Sequence, residues 1–305
     1  MKVLVSGANG YIGKAIARQL ITRGHEVVGL VRSQAGRQSL DALSIPSVQG
    51  DLSDAASLAH AAADVDAVIE TASADHPGST YAFLNALRGT DKTYIRTSGT
   101  GVYLDHATGE FNPVMHTEDD GFEPIKELQQ RFAIDKAVIK AASALRTIII
   151  RPSMIYGYGA SEQLPVLLRA AWRHQLSGWS GEGANRYGNV YLDDLAVVYQ
   201  LALEQAGSGS VYNIAADEAD FKTIGEAIGT LVGVPARPFK DRSEADATLG
   251  VIWASGFASN SRIDSTKART ELGWKPVGPG LIDELTSGSY RHVWAAKEAT
   301  VQTEG

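Results

Sequence analysis

The chain has 305 residues, 44% of them hydrophobic and 21% charged, the balance of a folded globular protein rather than a disordered one. With 28 Lys and Arg against 35 Asp and Glu the formal net charge is −7, which argues against nucleic acid or anionic lipid as a partner. There are no cysteines, so disulfides, thiolate metal sites and a cysteine nucleophile are excluded, and no metal site is expected.

In chain order, short β-branched runs alternate with amphipathic stretches. Residues 3–5, 26–31, 65–70, 93–97 and 147–150 read as strands, and residues 12–23, 55–62, 80–87 and 128–142 as helices. Strands joined by helical crossovers run parallel, because such a connection needs about a dozen residues. The run Thr147-Ile148-Ile149-Ile150 is apolar on both faces, as helices above and below a sheet require. The fold class that follows is a doubly wound parallel α/β sheet with a smaller, mixed substrate-binding region toward the C-terminus. Residues 1–152 form the nucleotide-binding part, to which 189–215 return. Residues 153–188 and 216–295 form the substrate-binding part, and 296–305 a polar tail. Residues 241–260 mix Gly, Ser and the aromatics Trp253 and Phe257 without a clean period, and read as an irregular loop that could line a pocket. The N-terminus passes from Val3-Leu4-Val5 into a glycine turn without the features of a signal peptide, and no apolar run approaches the roughly 20 residues that span a bilayer. A cytoplasmic protein with no membrane partner is the expectation.

The turn Gly7-Ala8-Asn9-Gly10-Tyr11-Ile12-Gly13 joins the first strand to the first helix, with glycines at i, i+3 and i+6. They permit a positive φ, a close approach of backbone to a pyrophosphate, and tight packing of helix on strand, while the helix N-terminus offers free N–H groups to phosphate. Gly7, Asn9, Gly10, Tyr11, Ile12 and Gly13 are therefore cofactor candidates. At the end of the second strand an acidic residue would bond the ribose of NAD. The chain instead reads Leu30-Val31-Arg32-Ser33 with Arg37 close behind, and a guanidinium accepts a 2′-phosphate, so NADP is favoured over NAD.

With these motifs the chain resembles the extended short-chain dehydrogenase/reductase family, the NAD-dependent epimerase/dehydratase-like group with its Rossmann fold. Further segments carry the resemblance: Gly50-Asp51-Leu52-Ser53-Asp54, Thr71-Ala72-Ser73, Thr97-Ser98-Gly99-Thr100-Gly101-Val102-Tyr103, Arg151-Pro152-Ser153-Met154-Ile155-Tyr156-Gly157, Asn189-Val190-Tyr191-Leu192-Asp193-Asp194, and Leu272-Gly273-Trp274. The resemblance implies that Asp51 and Leu52 hold adenine and that Thr71, Ala72 and Ser73 lie beside the cofactor ribose and phosphates. It also implies that Thr97 is a cofactor contact on the active-site strand, that Pro152 and Ser153 belong to the segment passing the nicotinamide, and that Lys136 holds the nicotinamide ribose.

Two departures stand out. The family places a proton-transferring tyrosine four residues before its lysine, where the charge lowers the phenol pKa. This chain has Phe132 before Lys136, and none of its 11 tyrosines is followed by a lysine at that spacing. The third hydroxyl position of the family's active-site strand is Gly99. Tyr103, Tyr156, Thr100, His106 and Lys136 are open as replacement proton donors. The acidic run Glu118-Asp119-Asp120 reads as a loop or cap.

The expected function is an atypical NADP(H)-dependent oxidoreductase acting on a small carbonyl, alcohol or activated alkene, with a small-molecule substrate and, as a further option, a second copy of the chain in a homodimer as partners. A lyase, isomerase or epimerase with tightly held NADP, and a non-catalytic NADP(H)-sensing regulator, are the alternatives.

Overall fold

The computed structural model describes residues 1–294, so the tail reading of 296–305 lies outside the described residues. The first part of the chain runs β1 (Lys2–Ser6), α1 (Tyr11–Thr22), β2 (Glu26–Val31), α2 (Gln34–Asp41), β3 (Ser47–Gln49), α3 (Ala55–Ala62), β4 (Ala67–Glu70), α4 (Pro77–Leu87), β5 (Thr93–Thr97), α5 (Gln129–Ala141) and β6 (Arg146–Pro152). It continues with β7 (Met154–Tyr156), α6 (Leu164–His174), β8 (Ser177–Trp179), β9 (Arg186–Tyr191), α7 (Leu192–Gln205), β10 (Ser210–Ile214), β11 (Asp217–Asp220) and α8 (Phe221–Val232). The last elements are β12 (Ala236–Pro238), α9 (Arg242–Leu249), α10 (Val251–Ala258), α11 (Thr266–Glu271) and α12 (Leu281–Thr286).

Seven strands form one parallel sheet in the order β10-β6-β5-β4-β1-β2-β3. Alternation along each strand feeds two cores. Val3, Val5, Ile148 and Ile150 face α1 and α7, while Leu4 and Ile149 face α3, α4 and α5. Both faces are thus covered, which is why the strands read as unbroken apolar runs. β1 lies between β2 and β4, so the winding direction reverses there and opens a crevice beyond the strands' carboxyl ends.

A second assembly carries the smaller sheets β11-β9-β7 and β12-β8. Its core joins Met154, Tyr156, Leu168, Trp179, Phe221, Ile228, Phe257 and Leu285. Residues 241–260 are not the irregular loop expected from composition. They form α9 and α10, separated by Gly250 at φ +82°, with Asp241 capping α9 by accepting from Glu244 N at 2.9 Å. Phe257 is buried and stacks with Trp253 at 5.2 Å between ring centroids. α9 buries only Ala245, and α10 carries apolar residues on exposed as well as buried faces, Val251 and Ile252 among the exposed, so neither helix shows a period in the sequence.

Candidate functional site

The crevice at the sheet's reversal is built on glycine geometry. Gly7 follows β1 at φ +78°, and a Cβ there would lie 2.9 Å from Ala72 Cα. A Cβ on Gly13 would sit 2.1 Å from Gly7 O, so α1 packs on the turn only because the position is glycine. Gly10, the N-cap of α1, offers no side-chain cap, which leaves first-turn N–H groups free at the crevice. The cleft measures about 770 Å³ and is lined by Gly7, Asn9, Gly10, Tyr11, Ile12 and Gly13 at its floor, by Thr71 and Ala72 after β4, and by Arg32, Asp51 and Leu52 toward β2 and β3. Its dimensions and donor set fit a dinucleotide, with the glycine turn and helix terminus suited to a pyrophosphate.

At the β2 end Arg32 is exposed on the rim, with no ion-pair partner within 4 Å among the described residues. Ser33 beside it caps α2, accepting from Gly36 N at 3.2 Å. Arg37 is absent from the lining, because it sits one helical turn into α2. The Asp51 carboxyl is held below its usual range, first by Ser53 N–H at 2.8 Å and further by the positive charge of Arg32. Several lining residues carry no sequence signal that singles them out. His76 caps α4, accepting from Ser79 N at 3.0 Å, and Ser161, Glu162 and Gln163 close the cleft from the loop after β7. The tyrosine hydroxyl of Tyr11 donates to Gly157 O at 3.0 Å and ties α1 to that loop.

The remaining candidates lie outside the cleft lining, beyond the carboxyl ends of β4, β5 and β6, in β7 and on α5. Ser73 sits after Ala72 and accepts from Asp75 N at 3.2 Å. Thr97 Oγ1 pairs with the buried Tyr199 hydroxyl at 2.7 Å. Pro152 ends β6, and the Ser153 Oγ that follows is buried without a partner among the described residues. Tyr156 is turned into the second core, its hydroxyl donating to Pro279 O at 2.7 Å, and burial raises its pKa. Thr100 is buried and its Oγ1 accepts from Ser261 Oγ at 3.2 Å. The Tyr103 hydroxyl accepts from Arg151 Nη1 at 2.7 Å and from Asn213 Nδ2 at 3.0 Å, and faces Thr117 O at 3.2 Å. Burial raises its pKa although the Arg151 charge opposes this. His106 is exposed at φ +57° on the loop beyond. The structure therefore takes Tyr103, Tyr156 and Thr100 up into packing and hydrogen bonding, and brings none of the three to the cleft lining.

Lys136 is exposed on α5, with Nζ 4.5 Å above the Phe132 ring. Phe132 in turn packs on Phe122 at 4.6 Å, and Phe122 on Tyr103 at 4.3 Å, a continuous apolar wall. His116 stacks on Tyr103 at 4.7 Å and meets Phe122 edge-on at 6.3 Å. Glu118 accepts from Asn213 N at 2.7 Å, and Asp120 accepts from Thr117 N at 2.8 Å, so the acidic run is a loop that braces this wall.

Beneath α5 lies a buried charge network that spacing alone does not reveal. Asp135, fully buried, accepts from Arg96 Nε, Arg151 Nε and Ser98 Oγ, each at 2.9 Å. Arg96 continues to Thr80 Oγ1 at 3.2 Å and Ala74 O at 2.6 Å, and Thr80 Oγ1 donates to the buried Glu70 at 2.8 Å. On the outer side of α5, Arg131 clamps Asp75 through Nε at 2.8 Å and Nη2 at 2.5 Å.

Comparison with known proteins places this architecture. The model of the NAD dependent epimerase/dehydratase family matches residues 3–215. The uncharacterized protein C2A9.02 of Schizosaccharomyces pombe is 33% identical over 310 residues, covering 95% of this chain and 100% of that one. The 2-alkyl-3-oxoalkanoate reductase of Stenotrophomonas maltophilia is 31% identical over 243 residues, covering 75% and 72%. Among solved structures, the dTDP-glucose 4,6-dehydratase of Bacillus anthracis in complex with NAD superposes with a TM-score of 0.76 at 17% identity over 98% of both chains, a likeness of fold. Sequence match and sheet order agree, and the chain belongs to the NAD-dependent epimerase/dehydratase family.

Proposed function

We propose that the protein is an NADP(H)-dependent oxidoreductase acting on a small carbonyl, alcohol or activated alkene. The observation that carries the cofactor choice is Arg32, exposed on the cleft rim after β2 with no carboxylate within 4 Å among the described residues. A guanidinium there suits a 2′-phosphate and an acidic residue would not. Bound NADP(H) supplies or accepts a hydride at its nicotinamide. On this reading the glycine turn and α1 hold the pyrophosphate, Asp51 and Leu52 the adenine, Thr71 to Ser73 the ribose and phosphates, and Lys136 the nicotinamide ribose. Phe132 stands where the family carries its proton-transferring tyrosine and gives the substrate an apolar wall with Phe122. The relative from Stenotrophomonas maltophilia is a reductase of an oxo compound, which supports a carbonyl substrate.

A second reading, an NADP(H)-sensing protein without turnover, is favoured by one observation: the Tyr103 hydroxyl nearest this wall is already held by Arg151 and Asn213. Incubation of the purified protein with NADPH and aldehydes, ketones, quinones and enones, with products identified by mass spectrometry, separates the two. Reduced product supports the oxidoreductase. Tight NADPH binding with no product from any class supports the sensor.

A further inference from the structure

Arg131 precedes Phe132 on α5 and is oriented by Asp75, which takes Nε at 2.8 Å and Nη2 at 2.5 Å in a bidentate clamp. Gln130 Nε2 donates to Asp75 O at 3.2 Å, so the loop bearing Asp75 is fastened to α5 at two points. The clamp leaves Nη1 with no hydrogen-bond partner among the described residues. That nitrogen hangs over the end of β5, where a Cβ on Gly99 would lie 3.3 Å from it and one on Gly101 3.7 Å. The same Gly99 position is 3.8 Å from Pro152 O. Gly99 therefore makes the room that the guanidinium fills, while Gly101 lies at ordinary contact distance from it.

Burial works against the Arg131 charge, but Asp75, Glu162 and Asp135 more than offset this, so it stays cationic. Glu162 belongs to the cleft lining and its charge acts on the guanidinium, although Arg131 itself is not part of that lining. Asp75 is engaged by the clamp, and Lys136 further along α5 has no carboxylate within 4 Å among the described residues, so its ammonium is not held in an ion pair. A preorganised guanidinium with one free nitrogen, beside an apolar wall and a lone ammonium, is suited to a small organic acid.

We infer that Arg131 anchors the substrate and that the substrate carries a carboxylate, one oxygen of which accepts from Arg131 Nη1. The inference rests on the oxidoreductase reading above and gives it a substrate class, the oxo or hydroxy acids. Gly99 acts as a positioning residue, because a side chain there would crowd the guanidinium.

The test is binding to the NADP⁺-loaded protein, read by titration calorimetry, with short- and long-chain 2-oxo and 3-oxo acids and their methyl esters as probes. The wild type is expected to bind acids over the matching esters. Arg131→Gln is expected to lose about 10- to 100-fold in acid affinity while NADPH affinity and thermal stability stay within about twofold of wild type. Lys140→Gln, which removes an exposed cation from the same helix, is expected to leave acid binding intact. Equal binding of acids and esters, no binding of any acid, or unchanged acid affinity in Arg131→Gln overturns the inference. If Arg131→Gln does not fold, Arg131→Lys, which keeps the charge but loses the bidentate clamp, must itself weaken acid binding for the inference to stand. Failure of the wild type to bind NADPH at all would instead strike the oxidoreductase reading.

Discussion

Arg151 Nε donates to Asp135 Oδ2 at 2.9 Å with both side chains out of solvent, and Arg96 takes the other carboxylate oxygen at the same distance. One carboxylate on α5 thus pins the helix to β5 and β6, and with it the positions of Phe132 and Lys136. Removing it leaves two guanidinium groups unpaired in the interior. Asp135→Ala is expected to lose about 3–5 kcal/mol of stability in urea unfolding, because an unpaired buried charge costs far more than the pair contributes. A loss near the surface-pair range of about 1 kcal/mol or less would show that water reaches the network.

Arg32→Asp is expected to reverse or erase a preference for NADPH over NADH. Charge-assisted hydrogen bonds to a 2′-phosphate are worth about 1.5–3 kcal/mol, or roughly 10- to 100-fold in affinity. Arg37→Ala is expected to have a smaller effect, since Arg37 is not part of the cleft lining. Calorimetric titration of both cofactors against the two variants checks the order, and equal wild-type affinities for NADPH and NADH would remove Arg32 from the site.

Lys136 and Lys140 are both exposed on α5, but only Lys136 lies on Phe132. If Lys136 holds the nicotinamide ribose, Lys136→Ala weakens NADPH binding by about 1.5–3 kcal/mol per lost bond, while Lys140→Ala leaves it unchanged. Parallel titrations decide this. Wild-type affinity in both variants would place Lys136 outside the site.

Phe132→Tyr is expected to create or raise carbonyl reductase activity by supplying a hydroxyl beside Lys136. Adding Gly99→Ser would complete the family's hydroxyl pair, but a Cβ there comes within 3.3 Å of Arg131 Nη1. The double variant should therefore gain proton transfer at the expense of acid binding, seen as a higher kcat with a higher KM for an oxo acid. A double variant whose KM is unchanged would show that the guanidinium has room to move.

His116, stacked on Tyr103 and 3.6 Å from Asp120, has its pKa lowered by burial, although the Asp120 and Asp105 charges act the other way. A depressed folded-state value means that the unfolded chain binds the proton more readily. The His116 contribution is thus fully present above the ordinary value of 6.5 and is lost as the pH falls through the folded value. Wild type is expected to lose more stability than His116→Gln between pH 7 and pH 5. Parallel slopes of melting temperature against pH in the two proteins would contradict this.

Local backbone demands are written in the sequence. The turn from Gly7 to Gly13 can be read because only glycine tolerates φ +78° and a Cβ position 2.1 Å from a carbonyl oxygen, and the strands can be read because a sheet covered on both faces needs unbroken apolar runs. The cofactor cleft follows from those elements, and so do the positions of Arg32 and Asp51 at its rim. The substrate end is different. Asp75, Arg96, Arg151 and Asn213, and Arg131 and Asp135 together on α5, come from five parts of the chain, and only the sheet order that sets β5 between β4 and β6, with β10 beyond, brings them together. Tyr103 and Tyr156 read as candidate proton donors from their neighbours in the chain, yet the folded partners of their hydroxyls are Arg151, Asn213 and Pro279. Periodicity reports which face of an element is buried. Which charge answers which across that buried face is decided by tertiary packing, because an ion or a phenol withdrawn from water must find its partner wherever the fold supplies one.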